Sequence, residues 1–436
     1  MQLNLKNINK IEEASINING LTVVAGINDT GKSTIGKVLF ALIKAINKIS
    51  THNEKNKLKK YQIQVSNFYF QLRRLEQQIS ENFIGVLFPK TAKEFVEEII
   101  GDSGEAAVET AVYVIEGLEI SPQQKARLLR CLNNIKEIIC ESNEPAHILA
   151  KELQDSIEAE FLNNICTNNT FSSQISFIEN SNTPEINIGI INNKLEAFSE
   201  LDLEGFSIED ITFIESPLYI HLIDTLREAP TLKEQRNNSR YSLAPFINYH
   251  VKDLAQKLDA IRYIPQQPQL QFSDNLIDIE KINNIMGGKF VFDSQTKNIY
   301  WQKDGIKYSP VNVASGLKSF GVMQILAETQ SINENRILVW DEPENHLHPE
   351  WQVRLAELMI EMSKAGIPIL ITSHSPYFIQ SIRYFARKHE LEKYVSYYLA
   401  EEQENGLSKI EEVTDDLNRV FYTLAQPMNE IINLGM

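Results

Sequence analysis

The sequence predicts an α/β fold in which a mixed sheet is assembled from two separated stretches of chain, with a block of helices inserted between them. Three observations carry this reading. An apolar run at 21–25 enters the glycine turn Gly26-Ile27-Asn28-Asp29-Thr30-Gly31-Lys32-Ser33-Thr34 and leaves it as a segment of helical spacing, 35–49. From Ser50 to about Thr170 the spacing is helical almost throughout. Beyond 171, short apolar runs alternate with helical stretches, and two of the later runs end in carboxylate and histidine residues.

Taken in order, residues 1–25 read as three strands, near 3–5, 14–18 and 21–25, with Asn19-Gly20 as the turn before the third. In the helical insertion, Leu58, Tyr61, Val65, Phe68, Leu72, Leu75 and Ile79 recur in steps of three and four, a heptad seam. Ser121-Pro122 opens a further helix as N-cap and first helical residue, with Leu129, Leu132, Ile135 and Ile139 on one face. The insertion is either a protruding arm that docks a partner or a compact bundle. Strands follow at 174–178, 186–191 and 211–215, then helical stretches at 217–226, 246–258 and 276–286. Met286-Gly287-Gly288 ends the last of these before strands at 290–292 and 299–301. The expected organisation is an N-terminal head segment 1–49, a helical insertion 50–170 and a C-terminal head segment 171–436.

Composition narrows the class. The 436 residues suffice for two or three compact units, and 43% hydrophobic with 23% charged residues is an ordinary globular balance. No apolar run is long enough to span a bilayer, and the N-terminus lacks a charged-then-apolar leader, so a cytoplasmic protein without a membrane partner is expected. Cys131, Cys140 and Cys166 lack C-x-x-C spacing and read as reduced thiols. A net charge of −16 argues against coating DNA with the whole surface. One basic run stands out: Lys44, Lys48, Lys55, Lys57, Lys59, Lys60, Arg73 and Arg74. It is a solvated helix face or, over Lys55–Arg74, a nucleic-acid site.

The turn at 26–34 is G-x-x-x-x-G-K-[ST] between a strand and a helix, the P-loop arrangement. Gly26 and Gly31 let the backbone turn its N–H groups inward, where those of Asn28, Asp29, Thr30 and Thr34 also stand to meet phosphate oxygens. The helix N-terminus adds its positive end. Lys32 is placed to reach the β- and γ-phosphates, and the Ser33 hydroxyl to hold Mg²⁺. ATP and Mg²⁺ are therefore the expected cofactors. The run 337–342 is an apolar strand closing on Asp341 and Glu342. A strand beside the P-loop should deliver an acid to the Mg²⁺ shell, which Asp341 fits, and Glu342 next to it suits a general base on water.

With these residues the chain resembles an ABC-type, AAA-family P-loop ATPase head of the SMC-like and OLD-like class. Ala314-Ser315-Gly316-Leu317-Lys318 resembles the signature motif at the start of a helix, and implies that Ser315 and Gly316 cap the γ-phosphate of ATP held by another protomer. Leu317 and Lys318 depart from the transporter pattern. Asp341-Glu342-Pro343-Glu344-Asn345-His346-Leu347-His348-Pro349 resembles the Walker B motif and D-loop of such heads. The strand 368–372 leads to Ser373-His374-Ser375-Pro376, where His374 resembles the switch histidine at the γ-phosphate. An alternative set of metal ligands is His346, His348 and His374 with Asp341. The Q-loop position falls on Glu215 by order or on Gln266 by local residues. The resemblance covers 1–49 and about 171–400.

It implies a mixed-sheet head, ATP hydrolysis, and a homodimer or higher homo-oligomer that closes around ATP. The expected role is regulation of a partner effector such as a nuclease, like the ATPase subunits of bacterial anti-phage systems (Septu-like, retron-associated or PARIS-like). The alternative is a DNA repair or recombination ATPase of SMC-like or RecF type. The stretch after 401 is too short for the C-terminal nuclease domain of OLD-type enzymes, so no nuclease is expected in this chain.

Overall fold

A computed structural model describes the chain except residues 52–53, 77–90, 102–103, 119, 141–144, 163, 168–171, 197–205, 238–244, 265–275 and 435–436. Within helices, the side chains of 49–51, 54–60, 63, 76, 140, 145–147, 236–237 and 427–434 are likewise outside the described set. The contacts divide the chain into two units, Met1–Asn47 with Leu149–Met436, and Lys48–Ile148. The sequence pattern set the far edge of the insertion at 170. The helix Pro145–Phe161 is instead divided: from Leu149 onward it belongs to the first unit, with Leu153, Ile157 and Phe161 buried.

Fourteen strands are described in the first unit: β1 (Gln2–Ile8), β2 (Ile11–Asn17), β3 (Leu21–Gly26), β4 (Ser172–Ile178), β5 (Ile186–Ile191), β6 (Lys194–Leu195), β7 (Asp210–Ile214), β8 (Lys289–Asp293), β9 (Asn298–Lys303), β10 (Ile306–Tyr308), β11 (Arg336–Trp340), β12 (Ile369–Ser373), β13 (Val395–Glu402) and β14 (Ser408–Glu412). Eleven form one mixed sheet in the order β6-β5-β4-β1-β2-β14-β13-β3-β12-β11-β7, and β10-β9-β8 form a second. The fold is the mixed-sheet α/β class expected.

The sheet has two characters, and each is legible in its residues. β13, β3, β12, β11 and β7 are mutually parallel. Parallel strands carry helices on both faces, so β3 is buried at all six positions and reads as a continuous apolar run. The antiparallel side, β1 with β2 and β4, alternates buried and open positions, with Leu3, Leu5 and Ile8 inward. The register Val23↔Ile371, Ile371↔Trp340 and Trp340↔Ile214 brings the carboxyl ends of β3, β12, β11 and β7 out at one edge. In parallel sheets that edge is where ligands bind.

Local readings shift in detail. The stretch expected as one helix over 217–226 is a short 3-10 turn, Pro217–His221, followed by the helix Ile223–Glu228. The helix Tyr249–Asp259 starts three residues later than the pattern suggested, and the helix Ile279–Met286 likewise, capped by Asp278. β6, β10 and β14 are short or polar strands whose composition carries no apolar run.

The second unit is a helical bundle. Its helices Glu54–Glu76, Ala92–Ile100, Gly104–Glu116 and Pro122–Cys140 share one apolar cluster. Tyr61, Val65, Phe68, Leu72 and Leu75 of the heptad seam are buried there among Phe95, Ile99, Val108, Leu128 and Ile135. The seam thus packs on its own neighbours, the compact alternative; Leu58 and Ile79 lie outside the described side chains. Ser121 caps as expected: its hydroxyl accepts from Gln124 N at 3.4 Å, and Gln124 returns to Ser121 N at 3.1 Å.

One member of the basic run is not a surface residue. Lys44 is buried in the first unit, and its ammonium lies 2.6 Å from both Asp210 and Asp253. Lys257 reaches the same two acids at 2.9 Å. Lys44 is therefore removed from any nucleic-acid face. Arg73 and Arg74 are exposed, while Lys55, Lys57, Lys59 and Lys60 fall among side chains not described.

Candidate active site

The turn 26–34 leaves the end of β3 and delivers the helix Lys32–Thr51. Gly31 takes φ +80, and a Cβ there would meet Ile11 Cγ1 at 2.9 Å, so glycine answers both the backbone and the neighbour. Thr30 is buried and its hydroxyl donates to Ile27 O at 2.9 Å, which locks the turn from inside. Asn28 and Asp29 are exposed, Asp29 pairing with Lys10 at 3.0 Å. Lys32 donates to Gly26 O at 3.0 Å and Ile27 O at 2.6 Å, with Glu342 Oε1 at 4.0 Å. Burial pulls its ammonium below the ordinary range, while Glu342, Asp341 and Glu344 pull it back up.

Directly after β11 come the two acids. Asp341 accepts from Ser33 Oγ at 2.7 and 3.0 Å, and from Thr372 Oγ1 at 2.5 Å. The same Thr372 hydroxyl accepts from Glu342 N at 3.0 Å. β12 lies between β3 and β11, so Thr372 is the residue that ties the turn after β11 to the strand beside it. Ser33 and Asp341 offer hard oxygen donors side by side, the donor type Mg²⁺ takes, and so fit that ion.

Glu342 takes φ +46, a conformation that costs a non-glycine residue about 1 kcal/mol and holds only where the surroundings over-determine it. Its amide is bound by Thr372, and its Oε2 accepts from Asn345 Nδ2 at 2.8 Å. His374 Nδ1 stands 3.0 Å from its other oxygen, Oε1. Burial pushes the Glu342 carboxyl up, but the Asn345 and His374 contacts and the charge of Lys32 outweigh it and keep the group below its ordinary value. It is an ionised carboxylate at neutral pH.

Glu344 organises the loop that carries His374. It is 3% exposed, and its Oε1 accepts from Ser373 Oγ at 2.6 Å, His374 N at 3.1 Å and Ser375 N at 3.2 Å. Burial pushes its carboxyl above the usual range against those bonds.

Ser315 opens the helix Ser315–Glu328, and Gly316 follows under a tight roof, since a Cβ there would meet Trp351 Cε3 at 2.9 Å. The helix is anchored by Gln324, whose side chain bonds Phe290 N at 2.8 Å and Phe290 O at 2.9 Å on β8. Neither Ser315 nor Gly316 hydrogen-bonds to the P-loop or to the acids of β11 among the described residues.

The alternative metal set is not assembled. His348 instead caps the helix Pro349–Lys364, accepting from Glu350 N at 3.4 Å. Among the described residues, Glu357, Glu361 and His389 alone gather with ligand atoms within 4.8 Å, and Lys281 already pairs with Glu361 at 2.6 Å. Gln266 lies outside the described residues. Glu215 directly follows β7, whose last residue Ile214 accepts through its carbonyl from Asp341 N at 2.9 Å, so it flanks the site. Thr372 and Glu344 were not singled out from the sequence, and Asn345 entered only as part of the D-loop resemblance. The one available signal was a hydroxyl residue at the end of an otherwise apolar strand.

Residues 197–380, under half of the chain, match a protein family described as "AAA domain, putative AbiEii toxin, Type IV TA system". That segment holds β7, the Ser315 helix, β11 and β12, and does not include the P-loop. No curated protein matches the chain. Among solved structures it is similar to the SMC head domain from Thermotoga maritima, with 13% identity, a TM-score of 0.36, and 94% of this chain and 98% of that one covered. It is also similar to the Smc head domain with an extended coiled coil, bound to the C-terminal domain of ScpA, derived from Pyrococcus furiosus: 12% identity, TM-score 0.39, 100% and 99% covered. A third is the ADP conformation of an ATP-binding cassette of an ABC transporter, with 11% identity, TM-score 0.33 and both chains covered in full at 100%. Among the described residues no helix is long and apolar enough to cross a membrane. Residues 197–380 are thus similar to an AAA domain, and the G-x-x-x-x-G-K-[ST] turn at 26–34 stands against that segment through the contact of Ser33 with Asp341.

Proposed function

We propose that the chain binds and hydrolyses ATP as an ABC-type head, and that ATP-gated pairing of two heads regulates a partner effector, such as a nuclease, in bacterial anti-phage defence. The observation that carries the catalytic part is the approach of Ser33 to Asp341 at 2.7 Å, with Lys32 and Glu342 beside them. In this reading the N–H groups of 26–34 and the Lys32 ammonium hold the phosphates. Ser33 and Asp341 would hold Mg²⁺, which when bound neutralises charge on the phosphate oxygens.

Glu342 takes a proton from water as the water oxygen bonds the γ-phosphorus. The bond from that phosphorus to the bridging oxygen breaks, and ADP leaves with the electron pair. His374, 3.0 Å from Glu342 Oε1, is placed to orient that carboxylate. Among the described residues Ser315 and Gly316 make no hydrogen bond to the P-loop of their own chain, which supports the reading that they serve a second protomer.

The description of the family matched by 197–380 names a toxin of a type IV toxin–antitoxin system, which supports a role exercised together with another component. A net charge of −16 and the burial of Lys44 weigh against the repair alternative, in which the chain would grip DNA directly.

Lys32→Ala tests the reading. Hydrolysis should vanish and ATP affinity, read by titration calorimetry, should fall strongly, because a phosphate-neutralising charge is lost. An unchanged affinity overturns it.

A further inference from the structure

A buried charge cluster that the mechanism does not use lies around His250. His250, on the helix Tyr249–Asp259, is fully buried. Its Nδ1 lies 2.6 Å from Glu160 Oε2 and its Nε2 3.3 Å from Glu215 Oε2. Glu160 Oε1 also accepts the His250 backbone N–H at 2.7 Å, so both oxygens of that carboxylate serve one residue. The ring lies against Phe213 of β7, with centroids 4.6 Å apart, and Phe40 meets it edge-on at 6.1 Å. An imidazole facing a carboxylate at each nitrogen can donate to both only when protonated. Burial opposes that charge, but the two acids hold the ring protonated up to about 9.

A buried ion cluster is weak evidence of stability, because well-packed apolar groups often serve as well. What distinguishes this cluster is the position of Glu215. It directly follows Ile214, whose carbonyl accepts from Asp341 N at 2.9 Å, so it is the third acid at the strand ends that carry Asp341 and Glu342. Tyr219 Oη donates to Glu215 Oε2 at 2.7 Å, the same oxygen that faces His250. Both contacts therefore fall on Oε2. Among the described residues Oε1 has no hydrogen-bond partner. A cavity of about 240 Å³ is lined by Ser33, Thr34, Lys37, Glu160 and Asn248, so Glu160 and the helix that opens at Lys32 share a wall.

We infer that His250, seated between Glu160 and Glu215, is a positioning residue for hydrolysis: it fixes Glu215 through Oε2 and leaves Oε1 to hold the attacking water beside Ser33 and Asp341. This rests on the ATPase reading. Glu160 acts one step further out, by keeping the imidazole oriented. Among the described residues His250, Glu160 and Glu215 share no hydrogen bond or ion pair with Lys32, so the clamp should govern turnover and not affinity.

The test compares Glu160→Gln, His250→Gln and Tyr219→Phe with the full-length wild type for ATP turnover with Mg²⁺, for ATP affinity by calorimetry and for melting temperature. Glu160→Gln and His250→Gln should lower kcat about tenfold or more through a misplaced Glu215, with Kd for ATP within about twofold of wild type. Tyr219→Phe keeps the buried pair and should lower kcat by about threefold.

A role in folding alone would lower the melting temperature and leave kcat per folded molecule unchanged. That result overturns the inference, as does a parallel loss of affinity and turnover. Should His250→Gln fail to fold, the other two variants decide, and an unchanged kcat in both rejects the clamp. Lys32-dependent hydrolysis that ignores all three variants rejects the clamp alone. Absence of Lys32-dependent hydrolysis in the wild type rejects the ATPase reading and the clamp with it.

Discussion

Ser33 Oγ lies 2.7 and 3.0 Å from the two carboxylate oxygens of Asp341, which stands 308 positions further along the chain. The pair joins the loop after β3 to the end of β11, across the intervening β12. Removing the hydroxyl should therefore act on the metal-dependent part of binding alone. For Ser33→Ala, a hydrogen bond or metal contact to a charged group is lost, about 1.5–3 kcal/mol, or roughly ten- to a hundredfold in affinity for ATP with Mg²⁺. Affinity for ATP in EDTA should change little. Calorimetry in both buffers reads the difference, and an equal loss in each would mean that Ser33 supports the loop and not the ion.

The buried His250 gives a pH dependence with a definite sign. Glu160 and Glu215 face its two nitrogens, Tyr219 backs Glu215, and Phe213 and Phe40 enclose the ring. Its folded pKa is raised to about 9, against an ordinary 6.5. Between those values the folded chain binds more protons than the unfolded one, so stability falls as pH rises. The contribution is complete below about 6.5 and lost through about 9, and amounts to roughly 3 kcal/mol at most. The melting-temperature gap between wild type and His250→Gln should be widest near pH 6 and narrow markedly by pH 10. A gap that is flat over this range would show that the ring is neutral in the fold.

Lys44 makes a stability prediction. It sits 2.6 Å from Asp210 and from Asp253, which also share Lys257 at 2.9 Å. Lys44→Ala leaves two buried carboxylates with one cation, a loss of about 3–5 kcal/mol. Lys44→Met keeps most of the volume but not the charge, and should be nearly as costly. Urea unfolding should show both midpoints well below wild type. If the loss is under about 1 kcal/mol, the quartet is solvated in solution and Lys44 returns to the surface.

What the sequence revealed and what it hid divide along chain distance. The P-loop, the Asp341-Glu342 pair and His374 are local patterns, each a strand end with its next few residues, and all three stand at one edge of the sheet. Thr372 and Glu344 work through partners about thirty positions away, which only the pairing of β11 with β12 brings close. His250 is further off still, with Glu160 ninety positions upstream, and a single histidine in a helical stretch gives no local sign of an acid on each side. Lys44 misled for the same reason. Its neighbours in sequence are basic, but the acids that hold it lie 166 and 209 positions away. β14 was missed because Ser408, Lys409, Glu411 and Glu412 leave Ile410 as its lone apolar residue.

Glu342 joins the catalytic and the oligomeric parts of the reading. Its Oε2 is held by Asn345 and its Oε1 faces His374 at 3.0 Å, and Glu342→Gln preserves the shape while removing the ability to take a proton from water. A positioned base is worth about a hundred- to ten-thousandfold, or about 3–5 kcal/mol of barrier, so turnover should fall by that factor. Binding should survive, because Lys32, Ser33 and Asp341 are untouched, and the loss of a negative charge near the γ-phosphate should tighten it.

The variant should then accumulate as an ATP-bound pair of heads. Ser315→Arg places a bulky cation at the start of the helix that would cap the other protomer's phosphate, next to Gly316, where Trp351 leaves no space for even a Cβ. Adding it to Glu342→Gln should abolish pairing while leaving ATP affinity within about threefold of that of Glu342→Gln alone, since one head's own pocket is unaltered. Light scattering with ATP and Mg²⁺ reads the mass, and crosslinking between Asn345 loops replaces it if the wild type is already a higher oligomer. Pairing that ignores ATP, or undiminished turnover in Glu342→Gln, would mean that the heads do not work by nucleotide-gated closure.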